Sequence, residues 1–263
     1  MRSGWALLPL VVVSAASLDE RRAQLRKLGR QYGTDKRIHG FLDLYAERLP
    51  PRDQVRSLLE VGVFYGASIQ MWRDWYAQAD IYGVDAFNGI FGNGNRFSNA
   101  TKFLHEVRAG LHGPRVHMLV ADQASAAEMD GVVGKLGRRR VSFDVILEDG
   151  SHKSRDQQLN LAQLMPLVRP GGVYVIEDTH TSLQRGYDVP PKSRQSTLMV
   201  MQAFNASRRL DSPFLSPPQT AYLEAWIESV EPVEARGMSE GVHSRTCFVR
   251  KRRAAANGHP LSQ

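Results

Sequence analysis

The chain has a single cysteine, Cys247, among 263 residues. An internal disulfide is therefore excluded. Cys247 sits in a strand-like apolar run, residues 246–249, and reads as packing, so cysteine usage says nothing about compartment. No apolar stretch is suited to crossing a bilayer. The run at residues 5–13 falls well short of the roughly 20 residues a spanning helix needs. With Arg2 ahead of it and Ser14-Ala15-Ala16-Ser17 behind, that run reads as a secretory signal peptide with the mature start near Leu18. Two sequons, Asn99-Ala100-Thr101 and Asn205-Ala206-Ser207, are compatible with the secretory pathway. Also lacking is a face of basic residues interleaved with aromatics, so nucleic acid is not an expected partner despite a net charge of +7. Much of that surplus lies in Arg138-Arg139-Arg140, expected in a solvated loop, and Lys251-Arg252-Arg253, expected to open a disordered tail. There is no phosphate-cradling G-x-G-x-x-G, which argues against a dinucleotide. No internal repeat and no second core are evident, and a 42% hydrophobic share supports one real core. The expected segments are a leader at 1–17, a helical extension at 18–52, the main domain at 53–252 and a tail at 253–263.

What the chain does have is alternation. Helical patterns at 18–32 and 41–49 are separated by Gly33-Thr34-Asp35-Lys36 and stopped by Pro50-Pro51. Strand patterns then follow at 57–63, 81–84, 116–120, 143–147 and 173–176. Helical ones lie between or after them at 67–77, 99–109, 125–136, 155–168 and 194–209. Two further strands are expected at 222–230 and 245–250, with a turn through Gly237 and Gly241. Strands alternating with helices predict an α/β fold, a doubly wound sheet with helices on both faces. The long connection 179–193, with Pro190-Pro191, is expected to form a lid or substrate lip.

Two of these strands end abruptly in acid. The first runs into Glu148-Asp149-Gly150-Ser151-His152, the second into Glu177-Asp178. In a parallel βαβ unit both strands finish on the same edge, the edge where open α/β sheets bind ligands. Crowded carboxylates repel unless a cation or protons intervene. Oxygen ligands without cysteine favour magnesium over zinc. The first strand of the sheet flows through Glu60 and Gly62 into a loop containing Tyr65 and Gly66, where glycine allows close approach of a ligand. The second ends in Asp85, about twenty residues on, an acid suited to ribose hydroxyls. The third ends at Asp122-Gln123, suited to an adenine edge. Together they suggest a nucleoside ligand without pyrophosphate, such as S-adenosylmethionine.

Several blocks carry a family resemblance: Gly33-Thr34-Asp35-Lys36, Leu59-Glu60-Val61-Gly62, Met71-Trp72, Tyr82-Gly83-Val84-Asp85, Asp122-Gln123, Asp149-Gly150-Ser151-His152 and Ile176-Glu177-Asp178-Thr179-His180-Thr181. Over residues 33–182 the chain resembles the metal-dependent sugar O-methyltransferases of the macrocin and mycinamicin type, and their cephalosporin-hydroxylase-like relatives. The resemblance implies a Rossmann-like, seven-stranded class I methyltransferase sheet with an N-terminal helical extension. It implies S-adenosylmethionine at Glu60, Gly62, Tyr65, Asp85, Asp122 and Gln123. Magnesium is implied at Asp149, Glu177 and Asp178, with His152 as the base. The expected acceptor is a sugar or other small hydroxylated molecule, and homo-oligomers are compatible with it. The chain departs from the family in its short glycine loop and in lacking the large N-terminal domain of the mycinamicin enzyme. The chemistry is coherent. A hydroxyl is a poor nucleophile, a divalent cation stabilises its alkoxide, and an imidazole, with an ordinary pKa of about 6.5, accepts the proton. His180 is expected to support the metal or touch substrate, and Trp72 and Trp75 to pack the core or wall the cofactor pocket. Asp35 and Lys36 are expected to close over the cofactor or to pair on the surface. Two alternatives stay open. A hydroxylase-like enzyme lacks an evident two-His-one-carboxylate iron triad, and a non-catalytic binding protein would not need His152 with all three acids.

Overall fold

The structure is a computed structural model, and it describes residues 16–88, 111, 113–237 and 243–253. Residues 1–15 of the leader expected at 1–17, the helix at 99–109, the sequon at Asn99, the turn residue Gly241 and the tail beyond 253 lie outside the described residues.

The chain opens with α1 (Leu18–Tyr32) and α2 (Phe41–Arg48). Ser17 starts α1 through a capping box with Glu20, and Gly33 ends it in the left-handed conformation that a residue with a Cβ adopts only at a cost. The alternation follows: β1 (Ser57–Val61), α3 (Ala67–Trp75), β2 (Asp80–Asp85), β3 (Val116–Val120), α4 (Ala126–Arg138), β4 (Phe143–Glu148), α5 (Ser154–Leu164), β5 (Val168–Ile176), α6 (Thr197–Ser207), α7 (Pro217–Trp226), β6 (Ile227–Arg236) and β7 (His243–Lys251). They form one seven-stranded sheet, ordered β3-β2-β1-β4-β5-β7-β6. The first five strands are mutually parallel, and β7 runs antiparallel to both neighbours. The order reverses between β1 and β4, so the switch point of the sheet lies between their carboxyl ends.

Period-two alternation sorts each buried strand onto two cores. Leu58, Val145, Leu147, Val173, Val175 and Phe248 pack under α1, α2 and α3. Leu59, Val61, Ile146, Tyr174, Ile176 and Val249 pack under α4 to α7. The N-terminal helices are therefore not an appendage, because Leu25, Phe41 and Tyr45 belong to the first core. Trp72 and Trp75 lie in the same core, as expected.

Two expectations need correcting. Residues 222–226 are not strand but the end of α7, which begins at Pro217 behind a Ser216–Gln219 capping box. The sheet resumes only at the β-branched Ile227. Lys251 does not open a solvated tail. It ends β7 fully buried, donating to the carbonyls of Met165 (2.9 Å), Pro166 (3.3 Å) and Val168 (2.8 Å). The connection after β5, expected as a lid or substrate lip, is anchored at both a turn and a helix start. It begins as a short 3-10 turn, Thr179–Leu183, and Asp188 is pinned to the start of α5, accepting from the amides of Ser154 (2.9 Å) and Arg155 (2.8 Å). The run Arg138 to Arg140 is exposed as expected, with Arg138 closing α4.

Candidate active site

The carboxyl edge between β1, β4 and β5 collects the acids, and strand pleating decides where each one points. Along β1, Glu60 shares the face of Leu58. Beyond β4, Asp149 follows the face of Val145 and Leu147, and beyond β5, Glu177 follows that of Val173 and Val175. All three therefore turn toward the N-terminal helices. Glu148, one residue earlier, turns the opposite way, toward Asn160 of α5 at 3.5 Å. Buried with so weak a partner, it is pushed up to about 8 by burial first and by the Asp149 charge second. At neutral pH Glu148 is thus largely a neutral acid that shapes the site rather than a metal ligand.

The three inward acids meet a residue expected only over the cofactor or on the surface. Lys36 is 1% exposed, and its Nζ lies 3.0 Å from Glu60 Oε1, 2.5 Å from Asp149 Oδ2 and 2.8 Å from Glu177 Oε1. Burial alone would lower its pKa, but Asp149, Glu177 and Glu60 together hold it well above the usual lysine range. Surface pairing is therefore overturned. Nothing local in the sequence signals the placement, since 113 residues separate Lys36 from Asp149.

On the outer side of Asp149 lies a second cluster. His152 Nε2 is 3.5 Å from Asp178 Oδ2 and 3.9 Å from Asp149 Oδ1. Asp149, His152 and Asp178 form one group able to hold a metal, and Glu60, Asp149 and Glu177 form another. The structure thus divides the expected ligand set Asp149, Glu177 and Asp178 around Asp149, which offers one oxygen to each side. His152 and Asp178 both adopt positive φ, 57° and 52°. Thr181 Oγ1 ties the two turns together by donating to the carbonyls of His152 (3.0 Å) and Asp178 (2.9 Å). His180 flanks the pair with Nδ1 3.6 Å from Asp178 Oδ1, and burial lowers its pKa more than Asp178 raises it. Asp178 Oδ1 and His152 Nδ1 are buried without a hydrogen-bond partner. Unpaired oxygen beside hard carboxylates fits a magnesium ion.

The residues expected to hold the cofactor lie on the adjoining strand ends and loops. Asp85 accepts from the amides of Val63 (2.8 Å), Phe64 (3.2 Å) and Phe87 (2.7 Å), so it braces the loop after β1. Gly62, at φ 89°, lets that loop pass under β4, because a Cβ there would lie 2.0 Å from the Asp149 carbonyl oxygen. Tyr65 stands exposed on the loop. Asp122 accepts from the amide of Ala124, and the side chain of Gln123 packs against Gly150. Glu60 is the exception. It is fully buried, facing Lys36 through one oxygen and Ser68 Oγ through the other at 2.7 Å.

The sheet order is that of the class I methyltransferase fold, and residues 59–179 match the family described as methyltransferase domain. Within that class the sequence is similar to sugar O-methyltransferases. It is 31% identical to the 8-demethyl-8-alpha-L-rhamnosyl tetracenomycin-C 2'-O-methyltransferase of Streptomyces olivaceus, across 69% of this chain and 46% of that one. It is 29% identical to the mycinamicin VI 2''-O-methyltransferase of Micromonospora griseorubida, across 65% of this chain and 40% of that one. The solved structure of the mycinamycin-pathway methyltransferase MycE, with Mg, SAH and mycinamycin VI, superposes with a TM-score of 0.62 at 25% identity. That match covers 90% of this chain and 57% of the other. The chain spans less than half the length of these curated relatives.

Proposed function

We infer that the protein transfers a methyl group from S-adenosylmethionine to a hydroxyl of a sugar or a comparable hydroxylated small molecule, in a magnesium-dependent reaction. The observation that carries this reading is the convergence of Asp149, Asp178 and His152 beside the loop after β1 that Asp85 braces. The names of its relatives support it, since rhamnosyl and macrolide sugar methylation recur among them. Magnesium held by Asp149, Glu177 and Asp178 would supply Lewis-acid stabilisation to a deprotonated hydroxyl. His152 Nε2, at the mouth of that pair, receives the hydroxyl proton as the oxygen attacks the sulfonium methyl. The carbon–sulfur bond breaks and S-adenosylhomocysteine leaves. Asp85 and the loop after β1 set the ribose, while Asp122 and Gln123 stand where the adenine edge falls. Proximity and alignment supply most of the remaining acceleration. No described helix is long and apolar enough to cross a membrane.

The test is methyl transfer from labelled S-adenosylmethionine to a panel of rhamnosides and other glycosides, with magnesium and with chelator. A magnesium-dependent O-methylated product is expected. Turnover indifferent to chelator refutes the metal. Tight S-adenosylhomocysteine binding without turnover on any hydroxylated acceptor favours a non-catalytic binding protein instead.

A further inference from the structure

The connection from β5 to α6 is the strongest feature left unused by that mechanism. Residues 179–196 carry three basic side chains, Arg185, Lys192 and Arg194, against one acid, Asp188. The whole chain has 34 Lys and Arg for 27 acids, so the excess is local. Asp188 does not offset it, because its carboxylate already accepts from the amides of Ser154 and Arg155 at the start of α5. Arg185, Lys192 and Arg194 are exposed, and their side chains enter no hydrogen bond or ion pair among the described residues. Lys153, one residue past His152, is a fourth exposed cation in the same condition. Cations on an unanchored loop would not specify a ligand, but this segment is held. The Lys192 amide donates to the Ser182 carbonyl at 2.8 Å, Gln158 Nε2 of α5 donates to the Gln195 carbonyl at 2.9 Å, and Val189 is buried. The anchors set it beside the reacting groups. Asp188 grips the residues directly after His152 and Lys153, and Tyr187 is close enough to Asp178 for that charge, after burial, to push its phenol up.

We propose that this anchored segment is an anion-recognition rim, with Arg185, Lys192 and Arg194 as specificity-determining residues, and that the acceptor is a sugar carrying a carboxylate or a sulfate group. This rests on the sugar O-methyltransferase reading and names its substrate class, and the test separates the two claims. Guanidinium groups meet oxyanions in forked, charge-assisted hydrogen bonds. These side chains have no acid to release first, so their whole attraction is available to a ligand. Cations fixed around a mouth also raise the local concentration of an anionic substrate, an effect that salt screens. A neutral sugar gains from neither.

The experiment titrates methyl glucuronide, glucose 6-sulfate and methyl glucoside by calorimetry into the full chain loaded with S-adenosylhomocysteine and magnesium. At least one anionic sugar should bind about tenfold tighter than the glucoside, and which one does so tells carboxylate from sulfate. Raising salt from about 0.05 M to about 0.5 M should remove most of that preference. So should the triple variant Arg185→Gln/Lys192→Gln/Arg194→Gln, with its melting temperature as the check on folding. Should the triple variant not fold, Arg185→Glu alone should weaken the anionic sugar relative to the glucoside. No binding of either anion, equal binding of all three sugars, or a preference that survives intact in high salt or in the folded variants overturns the proposal. A purely structural segment would change melting temperature without moving the preference. Methyl transfer from labelled S-adenosylmethionine to the same sugars should follow the same order in kcat/KM. Anion-selective binding with no methyl transfer to any sugar refutes the methyltransferase reading and leaves the rim standing. Methyl transfer to neutral and anionic sugars alike refutes the rim and leaves the methyltransferase standing.

Discussion

Replacing Glu148 with glutamine should make the protein more stable as pH rises, relative to wild type. Glu148 is fully buried, its Oε1 lies 3.5 Å from Asn160 Nδ2, its Oε2 has no hydrogen-bond partner, and the Gly150 amide only partly offsets the cost of burial. Burial and the neighbouring Asp149 charge push its pKa from 4.5 to about 8. The sign follows from proton binding. Between those two values the folded protein keeps a proton that the unfolded chain releases, so stability falls as pH rises. The contribution is fully present below pH 4.5 and is lost through about pH 8. Each pH unit crossed in that state costs about 1.4 kcal/mol, so the whole window costs on the order of a few kcal/mol. That is a sizeable part of a typical domain's roughly 5–15 kcal/mol. Glutamine keeps the shape and has no proton to lose. Urea unfolding of both proteins in chelator, at several pH values from about 5 to about 8.5, gives the difference directly. Glu148→Gln should gain on wild type progressively across that range and level off above it. Parallel stability curves would show that Glu148 is already ionised in the fold, and the reasoning from its burial would be wrong.

Other expectations concern the reaction and its frame. His152→Ala should slow methyl transfer by about two to four orders of magnitude while calorimetry still shows metal and cofactor binding, as for loss of a general base; wild-type turnover would remove His152 from that role. Asp85→Ala should weaken S-adenosylhomocysteine binding by about 1–3 kcal/mol, since a charged acceptor leaves both the loop amides and the ribose; unchanged affinity by calorimetry refutes the ribose contact. Gly62→Ala forces a Cβ within 2.0 Å of the Asp149 carbonyl oxygen, and soluble expression or cooperative melting should be lost; a normal melt would contradict that close approach. We also propose that the leader is removed in the secretory pathway but that the cut lies before Ser17 rather than at Leu18, because Ser17 caps α1 and such caps contribute about 1 kcal/mol. Mass spectrometry of the protein from its native source, showing either an intact Met1 or a start at Leu18, would refute this.

Much of the scaffold was legible because its signals are local. Apolar runs ending in acid located β4 and β5, glycines marked the loop after β1, and β-rich runs separated by helical patterns predicted a doubly wound sheet. The errors have different causes. The run at 222–230 carries aromatics and β-branched residues that read as strand, yet Ser216, Pro217 and Gln219 ahead of it are a helix start, and that local signal was available. The burial of Lys251 was not readable, because the carbonyls that hold it belong to the turn at Met165–Leu167, far away in sequence.

By itself the sequence determined which acids exist at the carboxyl edge and, through the two-residue pleat of each strand, that Glu148 and Asp149 must face opposite ways. It also determined that His152 follows three residues behind Asp149. Only the tertiary structure decided that Glu60, Asp149 and Glu177 share one cation, and that this cation is Lys36. Lys36 lies in a single 3-10 turn, Asp35–Arg37, between two helices, too short for any periodicity to assign a face. Its position was settled when α1 and α2 packed on the sheet and carried one ammonium group over three carboxylates from three strand ends.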